Sequence, residues 1–175
     1  DHVICMGGYQ GNDAFSISLR SQGIINDSPI GPQQPIKWRI ERHTPYVPSP
    51  LITGNRIYFT KSLNAILNCF DADSGKPIFK TDDGYPLPIR LPKLKQMYGS
   101  PVATKDFIFL TSREGTTLVI KNSANFEIIS TNSLTEEIDA SPAIVGNQIF
   151  LRGKRNLYCI ENATQKYIAR QAFDF

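Results

Sequence analysis

SPLITGNRIYFT (residues 49–60), SPVATKDFIFLT (100–111) and SPAIVGNQIFLR (141–152) align without a gap. Each reads as a short strand opened by Ser-Pro, a polar turn and a second strand of alternating character. The turns are Gly54-Asn55, Lys105-Asp106 and Gly146-Asn147, residue types that reverse a chain between antiparallel strands. Proline removes a ladder donor, so its place at the head of each copy marks the first residue of a strand. A repeated unit of this kind decides the fold class before any single residue is considered.

The likeness runs on downstream in AILNCFDADSGKPIFK, TTLVIKNSANFEIIS and NLYCIENATQKYIAR, each a third strand, a turn and a fourth strand. Cys69, Val119 and Cys159 then share one column and Phe70, Ile120 and Ile160 the next. Adjacent apolar columns predict a strand covered on both faces, as between stacked sheets. An earlier partial copy comprises HVICMGG (2–8), AFSISL (14–19) and IKWRI (36–40), with Ser16 in the cysteine column. It has no Ser-Pro strand of its own.

The copies begin at residues 49, 100 and 141, spacings of 51 and 41 residues. The surplus lies in KTDDGYPLPIRLPKLKQMYG (80–99), whose prolines oppose regular structure. Four short strands per repeat of about 40–50 residues is the propeller pattern, and no apolar period of 3.6 residues supports a helical repeat. The fold expected is all-β: about four four-stranded antiparallel blades at 1–43, 44–96, 97–137 and 138–175, the first incomplete. An arc of this sort leaves blade faces bare, which predicts a piece of a larger propeller and a tendency to self-associate.

The combination of Ser-Pro with "LNCFDADSGKPIF" resembles the PQQ-type (quinoprotein-like) propeller repeat. In that repeat a strand ending in Asp leads through a Gly-containing turn to a strand carrying an aromatic residue. Asp71 to Gly75 match the turn, and Trp38 and Phe79 the aromatic position. Asn122 to Asn125 and Asn162 to Gln165 replace the turn in the later copies, and Ile129 and Ala169 replace the aromatic, which predicts weaker docking of those blades. The resemblance implies seven or eight blades in the whole protein and a periplasmic or extracellular location. It also implies either a non-enzymatic scaffold, such as an outer-membrane assembly factor, or a quinone-dependent dehydrogenase using PQQ and Ca²⁺. Fold alone does not choose between them.

Composition excludes other classes. Net charge is +3 with 20% charged residues, too mild for a nucleic-acid or anionic-membrane surface. No apolar run approaches the roughly 18 residues of a membrane span, and DHVICMGGYQ lacks the features of a signal peptide. The three cysteines have no metal-ligand spacing and read as packing residues. Asp71-Ala72-Asp73-Ser74-Gly75 has the opening of a calcium loop, but position twelve is Asp82 and a reverse turn is the simpler reading. His2 and His43 sit in no nucleophile motif. Asn26-Asp27-Ser28 and Asn162-Ala163-Thr164 match the glycosylation triplet.

No catalytic, cofactor or metal set is therefore expected. The leading function is a binding or scaffold propeller contacting a protein or a carbohydrate; a quinoprotein dehydrogenase part and a sensor domain of an envelope or signalling protein are the alternatives. The segments entering each Ser-Pro strand should meet at one rim of the channel, with Tyr46, Tyr98 and Asp139 as the candidate binding residues. Arg90-Leu91-Pro92-Lys93-Leu94-Lys95 adds a small basic cluster suited to an acidic partner.

Overall fold

A computed structural model describes residues 1–9, 11–25 and 29–161. They form four antiparallel sheets. Blade one holds β1 (His2–Gly7), β2 (Asp13–Ser18) and β3 (Ile36–Ile40); blade two β4 (Leu51–Thr53), β5 (Arg56–Lys61), β6 (Ile66–Asp71) and β7 (Ile89–Arg90). Blade three holds β8 (Val102–Ala103), β9 (Phe107–Thr111), β10 (Thr116–Lys121) and β11 (Ile128–Ser133); blade four β12 (Ala143–Val145), β13 (Gln148–Arg152) and β14 (Leu157–Glu161). Within each blade the strands pair in chain order, as successive hairpins require. The chain is a β-propeller arc whose sheets do not close into a ring. The expected last strand of blade four, its turn at Asn162 to Gln165, Ala169 and both glycosylation triplets lie outside the described residues.

The paired apolar columns do place strands between two packed faces. Ile57 to Thr60 on β5 and Leu67 to Phe70 on β6 are buried throughout. One face of blade two supplies Tyr58, Leu67, Cys69 and Phe79 to a core completed by Ile108, Leu110, Leu118 and Ile120 of blade three. The other face supplies Ile57, Phe59 and Phe70, which meet Ile4, Met6 and Ile40 of blade one. Each such side chain is worth about 1.5–3 kcal/mol on burial, so these two interfaces dominate cohesion. Cys69 is fully buried with its thiol pushed up to about 12 by desolvation. Cys159, its counterpart in blade four, is exposed, because no described element covers that face of β14.

The aromatic position of the repeat acts between blades. Trp38 of blade one lies on the Asp71–Gly75 turn of blade two and donates its indole N–H to Ala72 O at 2.9 Å. Gly75 has φ +66°, and a Cβ there would sit 2.5 Å from the indole Cγ. Only glycine meets both demands. Phe79 of blade two repeats the contact edge-on against Phe126 of blade three, centroids 6.0 Å apart. The altered turn of blade three still docks: Arg56 donates to Asn122, and Asn122 Nδ2 donates to Thr53 Oγ1 at 2.9 Å. Between blades three and four the packing differs. There Ile129 is exposed, and a largely apolar cleft of about 220 Å³ opens among Phe109, Val119, Ile149, Leu151 and Ile160.

The Ser-Pro serines have a role that their strand position did not reveal. Ser49 N donates to Ser100 Oγ at 2.9 Å and Ser100 N to Ser141 Oγ at 2.8 Å, a hydrogen-bonded line across the inner strand heads of blades two, three and four. The strand expected over 76–80 is not formed. Pro77 makes a single bridge to Phe70, residues 80–88 loop out, and the pairing with β6 resumes only at β7. Proline at 77, 86 and 88 denies that stretch a continuous donor row.

Candidate functional site: the loop rim

Two sets of loops meet on one face. The hairpin turns between β1 and β2, β5 and β6, β9 and β10, and β13 and β14 stand beside the connections 41–50, 91–101 and 134–142 that carry the chain to the next blade. Backbone groups stitch them together. Thr44 Oγ1 donates to Gly7 O at 2.8 Å, and Val47 N to Ser62 Oγ at 3.2 Å. Met97 N donates to Ser62 O, Ile138 N to Arg113 O and Lys154 N to Glu137 O. Each connection thus bridges the turns of two blades, which makes the rim a continuous surface built on rigid strands. Gly8 permits the first approach, since a Cβ there would lie 2.4 Å from Pro45 O.

All three residues expected at the rim lie in these connections. Tyr98 and Asp139 come together through Arg113, which the sequence reading did not single out. Its guanidinium lies 4.1 Å from the Tyr98 ring centroid. It donates to both Asp139 oxygens, at 2.5 and 3.3 Å, and to Gln96 Oε1 at 3.1 Å. A planar fork that stacks and binds a carboxylate at once is a property of arginine that lysine lacks. Tyr46 belongs to a separate group and stacks on Tyr9 at 5.1 Å between centroids. Both rings stand well clear of the surface, Tyr9 at 69% and Tyr46 at 49% exposure. Arg113 and Tyr9 sit in hairpin turns whose residues differ from copy to copy, so the repeat alignment carried no signal for either.

Glu136 anchors blade four to the same connection. Its carboxylate accepts from the Arg155 and Asn156 N–H groups, from Asn156 Nδ2 at 3.1 Å and from the Tyr158 hydroxyl at 2.7 Å. The Tyr158 hydrogen bond leads these donors in holding the carboxyl down to about 2. This is a structural carboxylate, with its acceptor positions committed to a single turn.

The other sequence motifs resolve locally. Asp71 Oδ1 accepts from Ser74 N and Ser74 Oγ, both at 2.7 Å, and Asn55 Nδ2 occupies Oδ2. Asp73 pairs with Lys37 at 3.7 Å. Those oxygens close a turn and do not fit a Ca²⁺ cage, which needs six to eight converging oxygens. Among the described residues no group of three or more His, Cys, Asp or Glu side chains is placed to hold a metal. His2 pairs with Ser18 at the start of β1, whereas His43 adjoins Thr44 at the far end of that strand, so the two histidines do not meet. His43 is held below its ordinary pKa by burial first and then by Lys61 and Arg42. No helix is long and apolar enough to cross a membrane among the described residues.

No family model and no curated protein matches the chain. Solved structures do. BamB from Moraxella catarrhalis superposes with a TM-score of 0.61 over 88% of this chain at 14% identity. This chain spans only 42% of that protein's length. The computationally designed Ika4 protein superposes with a TM-score of 0.64 over 92% of this chain and 85% of its own, at 10% identity. A europium-containing methanol dehydrogenase matches at a TM-score of 0.47, over 75% of this chain and 22% of its own at 17% identity. Identities this low speak to the fold alone, and the fold that BamB shares with this chain is the propeller.

Proposed function

We propose that this chain is the binding portion of a larger propeller scaffold of the PQQ-like repeat type, acting without a cofactor in a periplasmic or extracellular setting, and that its loop rim grips a protein partner. The observation that carries this reading is the outward-facing Tyr9–Tyr46 stack beside the fixed Tyr98–Arg113–Asp139 group. Tyrosine and arginine held in place offer large contact area and directed hydrogen bonds at low entropic cost, the chemistry enriched at recognition surfaces. The share of BamB that the chain spans fits a portion of a longer propeller.

A photo-crosslinking residue placed at Tyr46 of the complete protein tests the reading. Discrete protein adducts are expected from that position and none from one placed at Lys105, on the opposite loop face. Equal labelling from both positions, or glycan-array binding that survives Tyr46→Ala, counts against it. Uptake of PQQ with Ca²⁺ and consequent dye reduction would replace it with the dehydrogenase reading.

A further inference from the structure

The rim is not uniform, and its asymmetry names the chemistry of a partner. Over blades one and two four exposed apolar or aromatic side chains run together: Tyr9 (69%), Tyr46 (49%), Val47 (45%) and Leu63 (54%). Tyr9 stacks on Tyr46, and Val47 is tied through its N–H to Ser62, the residue before Leu63. Solvent exposure of one such side chain is ordinary, but four on adjoining loops of one rim are the mark of an interaction surface.

The basic loop flanks this row directly. Leu63 bridges to Gln96, Asn64 N donates to Lys95 O at 3.0 Å, and Leu91 N donates to Ala65 O at 2.9 Å. Arg90, Lys93 and Lys95 are exposed, and none forms an ion pair with a described carboxylate. Farther along the rim the charges balance: Asp139 neutralises Arg113, Glu137 neutralises Lys154, and exposed Arg155 is offset by Glu114, neither of them in an ion pair among the described residues. Unpaired positive charge is therefore concentrated where the apolar row lies, and His43 already feels the field of Lys61 and Arg42 there.

Backbone strain falls in the same place. The non-glycine residues with left-handed φ among the described residues are His43 (56°), Asn64 (82°), Ala65 (46°) and Lys93 (64°). All four belong to the loops that carry or adjoin this surface. Such conformations are unfavourable for residues with a Cβ and gather at sites where geometry is held for a purpose.

We infer that the surface formed by Tyr9, Tyr46, Val47 and Leu63 with Arg90, Lys93 and Lys95 receives an acidic segment of a protein partner, one that carries aromatic or aliphatic side chains among its carboxylates. The inference rests on the scaffold reading and specifies the partner of that same rim. The segment's apolar side chains pack on the tyrosine pair and Leu63, while its carboxylates lie against the lysines of the neighbouring loop. At physiological salt the screening length is about 8 Å, so these cations act on a docked segment rather than on a distant one.

The test is selection of random twelve-residue peptides on the intact protein, followed by affinity measurement on the enriched peptides by fluorescence anisotropy. Enrichment of peptides that are net negative and contain Phe, Tyr, Trp or Leu is expected. Lys93→Glu with Lys95→Glu should weaken binding about tenfold or more, and raising NaCl from about 50 to about 300 mM should do much the same. Lys93→Gln with Lys95→Gln, a milder pair, should give a smaller loss in the same direction. Tyr46→Ala and Leu63→Ala should each weaken binding, whereas Lys105→Glu should not.

Peptides lost with Tyr46→Ala but indifferent to salt and to the lysine variants overturn the acidic partner and leave the scaffold reading standing. Binding untouched by either set of variants removes both. An absence of enrichment, or enrichment of basic or wholly polar peptides, overturns the inference outright.

Discussion

Gly75→Ala measured alone and together with Trp38→Ala isolates the contact by which one blade seats on the next. In the wild-type background the new methyl carries two costs. Alanine at φ +66° costs about 1–2 kcal/mol, and a Cβ 2.5 Å from the indole Cγ drives the ring off the turn for about 1–3 kcal/mol more. Trp38→Ala alone should cost about 3–5 kcal/mol, since the side chain is only 4% exposed and gives up its bond to Ala72 O. Once the indole is gone, Gly75→Ala retains only its backbone cost. The double mutant should therefore be more stable than the sum of the single changes by about 1–3 kcal/mol. Urea unfolding of the four proteins followed by far-ultraviolet circular dichroism gives these numbers. Trp38 is the single tryptophan of the chain, so its emission reports directly on its surroundings, and Gly75→Ala should shift it to the red. Additivity within about 0.5 kcal/mol, or an unshifted spectrum, would refute the docking argument.

Two further outcomes follow from buried groups. The Glu136 carboxyl titrates at about 2 in the fold against 4.5 when free, so its stabilisation is complete above pH 4.5 and is lost as pH falls toward 2. The difference in melting temperature between the wild type and Glu136→Gln should be largest above that window and close within it; a difference constant across the window contradicts the role given to Glu136. Among the thiols, Cys159 is exposed, Cys5 half-buried and Cys69 fully buried with its pKa at about 12. Alkylation read by mass spectrometry should mark Cys159 first, Cys5 more slowly and Cys69 only in denaturant, and early labelling of Cys69 would contradict the packing of blades two and three.

How much of the site was legible varied with how local its physics is. Tyr46, Tyr98 and Asp139 were found at the rim because the segments entering the Ser-Pro strands must gather at one end of the blades. Arg113 and Tyr9 were missed because each occupies a turn unlike those of the other copies, and their partners lie 26 and 37 residues away. The buried Cys69 and the exposed Cys159 share a repeat column, yet differ because one strand lies between two faces and the other does not. The strand expected at 76–80 failed for a reason visible in its own residues: a proline inside the run and two beyond it leave no continuous row of donors.

The amino-acid sequence by itself determined that the chain is all-β and that its unit is a small antiparallel blade of successive hairpins. Alternation, turn chemistry and strand-initiating prolines are short-range properties that recur in the three copies opening at residues 49, 100 and 141. Only the tertiary structure decided what those units do to one another. The Ser49–Ser100–Ser141 line, the seating of Trp38 on Gly75, the apolar cleft between blades three and four and the joining of Tyr98 to Asp139 through Arg113 all cross blade boundaries. Each depends on residues of different copies being brought together, and a repeat pattern describes what the copies share rather than where they meet.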